Sequence, residues 1–318
     1  MQNCLPLVTI AIPTYNRADS YLRKTIESAL AQTYPHVEIL VSDNASTDGT
    51  PALVRSLGDA RLRYSRLGEN IGANRNYNRC LEQASGDYFL LLHDDDLIDR
   101  DFVSVCLRAV QYGTAAGLIR TGIRVIDNRG KVLRESRNQT AGLSVDAFFR
   151  AWFAGKTSWY LASTLFNTKR LRQVGGFHST HQRVEDGFVI AQLAARCQRV
   201  DVEEIKASFR VHRGELTFDG NVGAWGQDYL ELLACLCELV PPDKAPVVRK
   251  EGMRFFARLT YNRAGAIETP VKRAIAYMEI CKLFHYRYLP THRIAGARLI
   301  RRTLSSTKRR AVAALHLG

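Results

Sequence analysis

No apolar run in the 318-residue chain approaches the roughly 18 residues that a membrane span needs. The N-terminus lacks a basic region ahead of Leu7-Val8-Thr9-Ile10-Ala11-Ile12, and Pro13 ends that run too early for a secretion signal. The run therefore reads as a first strand, and the expected location is the cytoplasm. Paired cysteines are missing as well. The seven are scattered without a Cys-x-x-Cys pair or a Cys/His cluster at zinc spacing, so free thiols in a reducing compartment are expected. Cys235 and Cys237, inside Leu232-Leu233-Ala234-Cys235-Leu236-Cys237, read as buried helix packing. There is no internal repeat or low-complexity tract, and 46% hydrophobic with 24% charged residues is ordinary globular composition, which excludes a disordered chain.

Acids are nearly absent from the tail. From Val271 onward there are eleven Lys or Arg residues and one acid, Glu279, so most of the net charge of +14 belongs to that segment. Such a tail suits nucleic acid or an anionic membrane surface. Val271, Ala274, Ile275 and Met278 recur at helical spacing, with Lys272, Arg273 and Lys282 placed off that stripe, and Arg298, Arg301, Arg302, Lys308, Arg309 and Arg310 follow. One reading packs the apolar stripe on the body with a solvated basic exterior. The other attaches the basic surface to an anionic leaflet, and both can hold together.

The first half alternates strand-like and helix-like segments, the pattern of a parallel sheet covered by helices. Strands are expected at Val8 to Ile12, Val37 to Val41, Arg61 to Ser65, Tyr88 to Leu92 and within Ala115 to Ile126. Helices are expected at Tyr21 to Gln32, Thr50 to Leu57 and Asn74 to Ala84, with a hairpin turn at Asp127-Asn128-Arg129-Gly130. After about Gly220 helical patterns dominate: Tyr229 to Leu239, Val247 to Tyr261 and Val271 to Tyr288. The expected division is a catalytic α/β body over 1–220 and a helical, basic region over 221–318.

Chemistry concentrates where apolar runs stop. Leu90-Leu91-Leu92-His93-Asp94-Asp95-Asp96 delivers three adjacent carboxylates to the C-terminal edge of a buried strand, where open α/β sheets bind ligands. Adjacent carboxylates repel unless a cation, a donor or water offsets them, and hard oxygen ligands suit Mg²⁺ or Mn²⁺ carrying a phosphate. A solvated acidic turn before a helix is the plainer alternative. The first strand ends in Ile12-Pro13-Thr14-Tyr15-Asn16-Arg17 and the second in Val41-Ser42-Asp43-Asn44-Ala45-Ser46-Thr47-Asp48-Gly49-Thr50. Tyr15 can stack on a base and Asp43 can accept a hydrogen bond from a base N–H.

These segments in order resemble the family 2 glycosyltransferases. The resemblance includes Ser28-Ala29-Leu30-Ala31-Gln32-Thr33-Tyr34-Pro35, Asn70-Ile71-Gly72-Ala73-Asn74-Arg75-Asn76, Val174-Gly175-Gly176-Phe177 and Glu185-Asp186, and it covers about the first 215 residues. It implies a GT-A fold and an inverting, metal-assisted sugar transfer from a nucleotide-diphosphate donor. By position it implies Pro13 and Tyr15 beside the base, Asp43 bonded to it, and Arg75 near the nucleotide or its phosphates. The family's Asp-x-Asp motif falls with its second aspartate on Asp95 and its first replaced by His93. Asp95 is then the leading metal ligand, and Asp94 and Asp96 contact the sugar or support the ligands. The substitution leaves the choice between Mg²⁺ and Mn²⁺ open, since imidazole suits Mn²⁺ better.

Glu185-Asp186 opens a helix, where acids also serve as dipole partners. The resemblance makes Asp186 the general base, with Glu185 beside it. It also brings His212, in Phe209-Arg210-Val211-His212-Arg213, toward the metal or diphosphate. The acceptor it implies is a growing cell-envelope glycan, often lipid-linked at the inner membrane face. Sugar-phosphate nucleotidyltransferases share a related sheet, but they carry a glycine-rich basic loop after the first strand that Pro13 to Arg17 lacks. A nucleic-acid binder is suggested by charge alone and has no readout module to support it.

Overall fold

The computed structural model describes residues 5–212, 221–285 and 288. In chain order the elements are β1 (Val8–Thr14), α1 (Leu22–Leu30), β2 (Val37–Asp43), α2 (Thr50–Ser56), β3 (Leu62–Arg66), α3 (Ala73–Gln83), β4 (Tyr88–Leu91), β5 (Leu97–Ile98) and α4 (Phe102–Ala109). There follow β6 (Leu118–Ile126), β7 (Val132–Ser136), α5 (Val145–Phe153), β8 (Thr164–Asn167), α6 (Thr168–Gln173), α7 (Glu185–Arg196) and β9 (Arg199–Arg210). Helices α8 (Val222–Glu238), α9 (Ala245–Gly265) and α10 (Pro270–Leu283) close the described chain.

One sheet runs β3-β2-β1-β4-β8-β6-β9-β5, with β7 paired to β6. Every residue of β1 and of β4 is buried, as expected of strands covered on both faces. Alternate side chains feed two cores. Ile10, Ile12, Ile39, Val41, Leu90 and Leu92 pack on one face; Ala11, Leu40, Phe89 and Leu91 pack on the other. The first four strands in the order are parallel. Beyond them β8 inserts antiparallel between β4 and β6, a step that no local pattern announces. The Ala115 to Ile126 segment forms a single strand that turns at Asp127–Gly130 into β7, with Gly130 at φ 87°.

The second core does not stop near residue 220. Phe148, Trp159 and Ile190 from the body share one cluster with Trp225, Phe256 and Tyr277 from the last three helices. Trp152 stacks on Trp159 at 4.0 Å between ring centroids and meets Phe255 and Phe256 edge-on. The α10 stripe corrects an expectation. Val271, Ile275 and Met278 point to solvent, while Ala276, Tyr277, Ile280 and Cys281 make the inward face. Helical spacing reveals an apolar stripe but not which of two stripes the neighbouring helices bury. The distal basic residues from Arg298 to Arg310 lie outside the described residues.

Candidate active site

The chain leaves β1 for β2 and β3 on one side and returns to β4 on the other. That reversal opens a crevice at the C-terminal ends of β1 and β4, the place where such sheets take ligands. The loops after β1, β2 and β4 line it.

The first two loops are locked together. Asn16 (φ 53°) and Ala45 (φ 65°) adopt the left-handed conformation, costly without glycine. Cross-loop bonds hold them: the Asn16 N–H donates to Ser46 Oγ at 2.8 Å, and the Thr47 N–H donates to Asn16 Oδ1 at 2.8 Å. Pro13 is buried in β1, aligned with Ser42, while Tyr15 stands 43% exposed at the crevice. Asp43 is fully buried. It accepts from the Ser46 N–H at 2.8 Å and from the Tyr64 hydroxyl, with Arg66 Nε 3.8 Å away. Burial and the Asp43 carboxylate hold the Tyr64 phenol above its usual range, so it stays a donor. With both oxygens engaged and no exposed side-chain surface, Asp43 can meet a base only once Tyr64 or Arg66 gives way. Arg75 is exposed in the first turn of α3, where the helix N-terminus also favours an anion.

The acids after β4 diverge in role. Asp94 accepts from Thr14 Oγ1 at 2.8 Å and lies 3.6 Å from Arg17 Nε. Burial and then the Asp95 charge still push it up to about 6. Asp96 is buried and takes the Arg210 N–H at 2.9 Å, while Arg210 Nε donates to the Asp95 carbonyl at 2.8 Å. This follows from β5, whose pairing of Leu97 with Ser208 and Ile98 with Ala207 lays the acid turn along the end of β9. His212, two residues beyond β9, consequently reaches Asp95 with Nε2 2.9 Å from Oδ2. Burial and Asp95 raise Asp96 well above the carboxylate range, a repulsion that a cation would relieve.

His93, Asp95 and Asp96 bring one ligand atom each within 4.8 Å of one another. The donor set fits a divalent cation. Burial lowers the His93 pKa and so favours the neutral, ligating imidazole, and among the described residues its Nε2 has no hydrogen-bond partner. Read from sequence, His93 is a gap in the motif; in space it completes the cluster, and His212 supports it through Asp95.

Glu185 and Asp186 form the first turn of α7. They reach the crevice because Gly175 (φ 91°) and Gly176 (φ 74°) reverse the chain after α6, and the Asn78 side-chain amide on α3 clasps the Phe177 backbone, donating to its carbonyl and accepting from its N–H at 2.8 Å each. A Cβ at Gly176 would collide with that amide. Burial, then Glu185, push Asp186 up to about 7, with Arg263 pulling the other way. Tyr77 lies between the two acid groups. Its phenol is held in the protonated form by burial and by Glu185, Asp94, Asp95 and Asp186 together, and its ring lies 5.4 Å from that of His93.

One further residue carries no sequence signal. Asp228 on α8 is fully buried and accepts from Ser179 Oγ at 2.8 Å, the His181 N–H at 2.9 Å and the Arg183 N–H at 3.0 Å. It therefore shapes the loop leading into Glu185 and Asp186. Asp228→Asn turns an amide NH2 toward at least one of these donors, and an unsatisfied buried group costs about 1–3 kcal/mol. Denaturant midpoints should fall accordingly, and turnover several-fold, with donor KM unchanged.

A family model described as glycosyl transferase family 2 matches residues 9–176, which hold the crevice and its first three loops. The chain belongs to that family. A GalNAc(5)-diNAcBac-PP-undecaprenol beta-1,3-glucosyltransferase of Campylobacter jejuni is 31% identical over 179 residues, which make up 53% of this chain and 56% of that protein. Among solved structures, Staphylococcus aureus TarS 1–349 in complex with UDP-GlcNAc aligns with TM-score 0.66 at 15% identity, over 89% of this chain and 84% of that one. The mannosyltransferase PcManGT of Pyrobaculum calidifontis, in complex with GDP-Man and Mn²⁺, aligns with TM-score 0.57 at 18% identity, over 96% and 81%. This family-2 chain has the GT-A fold.

Proposed function

We propose that this family-2 chain moves a sugar from a nucleoside diphosphate donor to a hydroxyl of a glycan acceptor, with inversion at the anomeric carbon. The observation that carries this reading is the separation of two acid groups across Tyr77: one pair with a member near neutral pKa, the other clustered with an imidazole. Tyr15 stacks on the base, Asp43 accepts from its N–H once the Tyr64 hydroxyl gives way, and Arg75 at the start of α3 faces the diphosphate. Asp186, poised near pH 7, takes the acceptor hydroxyl's proton as that oxygen attacks from the face opposite the leaving group. Arg17 and Thr14 fix Asp94 for contact with the donor sugar. His93, Asp95 and Asp96 would hold Mg²⁺ or Mn²⁺, whose chemistry there is to neutralise charge building on the departing diphosphate.

The acceptor we propose is lipid-linked and met at the inner face of the cytoplasmic membrane, in keeping with the undecaprenol-linked substrate named for the Campylobacter relative. Among the described residues no helix is long and apolar enough to cross a membrane. UDP-sugars are the first donors to test, given the ligand of the TarS neighbour. Release of nucleoside diphosphate with Mn²⁺ and the anomeric configuration of the product by NMR together test the reading. A retained configuration would overturn it. If Tyr15 stacks on the base, Tyr15→Ala should raise donor KM roughly three- to tenfold, the worth of one aromatic stack, with little change in turnover.

A further inference from the structure

Helix α10 is apolar on two opposite sides, and its partners cover one. Ala276, Tyr277, Ile280 and Cys281 are at most 7% exposed, and Tyr277 and Cys281 meet Tyr261 of α9. On the other side Val271, Ile275 and Met278 are 68%, 55% and 50% exposed, with Ala274 exposed among them. Lys282, eleven positions after Val271 and so about three turns along the same face, ends this stripe rather than lying off it. Lys272 flanks it in solvent. The one acid of α10, Glu279, turns its carboxylate against the first turn of α8, where a Cβ at Gly223 would collide with it. Glu279 is nonetheless exposed beside Lys272, so the outer face is apolar along its middle, with Lys272, Lys282 and that single acid at its margins.

A contiguous exposed apolar stripe with a basic border is the surface of a helix lying in a membrane interface. We propose that this face of α10 seats in the headgroup region of an anionic bilayer, with Val271, Ile275 and Met278 at the acyl boundary. Lys272 and Lys282 extend their stems along the apolar surface and place their ammonium groups among lipid phosphates. Charge decides the occupant. On α10 itself Lys272, Arg273 and Lys282 stand against one acid, and by sequence the whole segment from Val271 onward carries eleven basic residues against that acid, a charge that disfavours a second copy and attracts an anionic leaflet. The inference rests on the membrane-side placement proposed above, and it adds insertion of named side chains to attraction by a basic tail.

The test uses the full chain with vesicles of phosphatidylcholine alone or mixed with phosphatidylglycerol, in low and high salt. Wild type should sediment with the mixed vesicles. The variant Val271→Ala/Ile275→Ala/Met278→Ala, which keeps helix propensity, should lose at least roughly tenfold in partitioning at low salt, given the apolar area removed. Its Tm and its donor binding should stay at wild-type values. Sedimentation of the variant equal to wild type would overturn the inference and leave attachment to tail charge alone. A lower Tm in the variant would overturn it by showing the stripe covered by residues 289–318, and loss of a concentration-dependent dimer would overturn it in favour of a second copy. Nucleoside diphosphate release with a soluble acceptor, run in parallel, reports on the transfer reaction separately, so either reading can fail without the other.

Discussion

Asp186→Asn is expected to lower turnover by at least about a hundredfold, the scale of a lost general base, and at the same time to make the protein more stable at pH 8. The stabilisation follows from the carboxyl's place in the first turn of α7, where burial and Glu185 push its pKa up to about 7. In the unfolded chain the same group ionises near pH 4. Between those values the unfolded chain has released the proton and the folded one still holds it. Stability from this group therefore falls as pH rises from about 4 to 7 and levels off above. Keeping a charged Asp186 costs on the order of 4 kcal/mol at pH 8, and Asn removes that cost while its carbonyl oxygen can still accept the Gly187 N–H. Denaturant midpoints of wild type and variant should converge near pH 4 and separate by pH 8. In wild type, kcat/KM should climb through about pH 7. If Glu185→Gln is the crippling change and Asp186→Asn is mild, the base has been placed one residue too late.

The second large effect concerns the cation. Asp95→Asn replaces one charged ligand of the His93, Asp95 and Asp96 cluster with a neutral oxygen, which should nearly abolish both Mn²⁺ binding, read by calorimetry, and transfer. The fold should persist, because β4 and its core contacts end before this residue. Imidazole in the donor set predicts a preference for Mn²⁺ over Mg²⁺, and His93→Asp should shift that preference toward Mg²⁺ by making the set all-oxygen. Full activity in EDTA, or unchanged Mn²⁺ binding by Asp95→Asn, would remove the cation from these residues.

The parallel half of the sheet was readable because each strand is a short apolar run ending in polar residues. Tyr15, Asp43 and the acids after β4 were readable for the same reason, since all lie at strand ends. What escaped depends on distance in the chain. Strand β5 has two residues, too few for any periodicity, yet its pairing with β9 brings His212 to Asp95. The antiparallel β8 is four buried residues that look like any core run. Asp228 stands beside Gln227 and close to Glu231 on α8, with nothing local to mark it as the buried one, and it meets its partners about 45 residues back. The outward stripe of α10 was visible as a stripe, but the competing inward set of Ala276, Tyr277, Ile280 and Cys281 has the same spacing. Only the positions of α8 and α9 decide between them.

The shared core behind the crevice bears on how such a chain can diverge. Trp225, Phe256 and Tyr277 close the same apolar cluster as Phe148, Trp159 and Ile190, so α8 to α10 are not a cassette that recombination could exchange while leaving the sheet intact. A swapped-in helical segment would have to reproduce the fit of Trp152 between Trp159 and Phe256 and the seat of Asp228 beneath the loop before α7. Change in these helices is then confined to point substitutions on their outward faces, whereas the loops after β1 and β2 are held to each other by local bonds between Asn16, Ser46 and Thr47 and form a unit of their own.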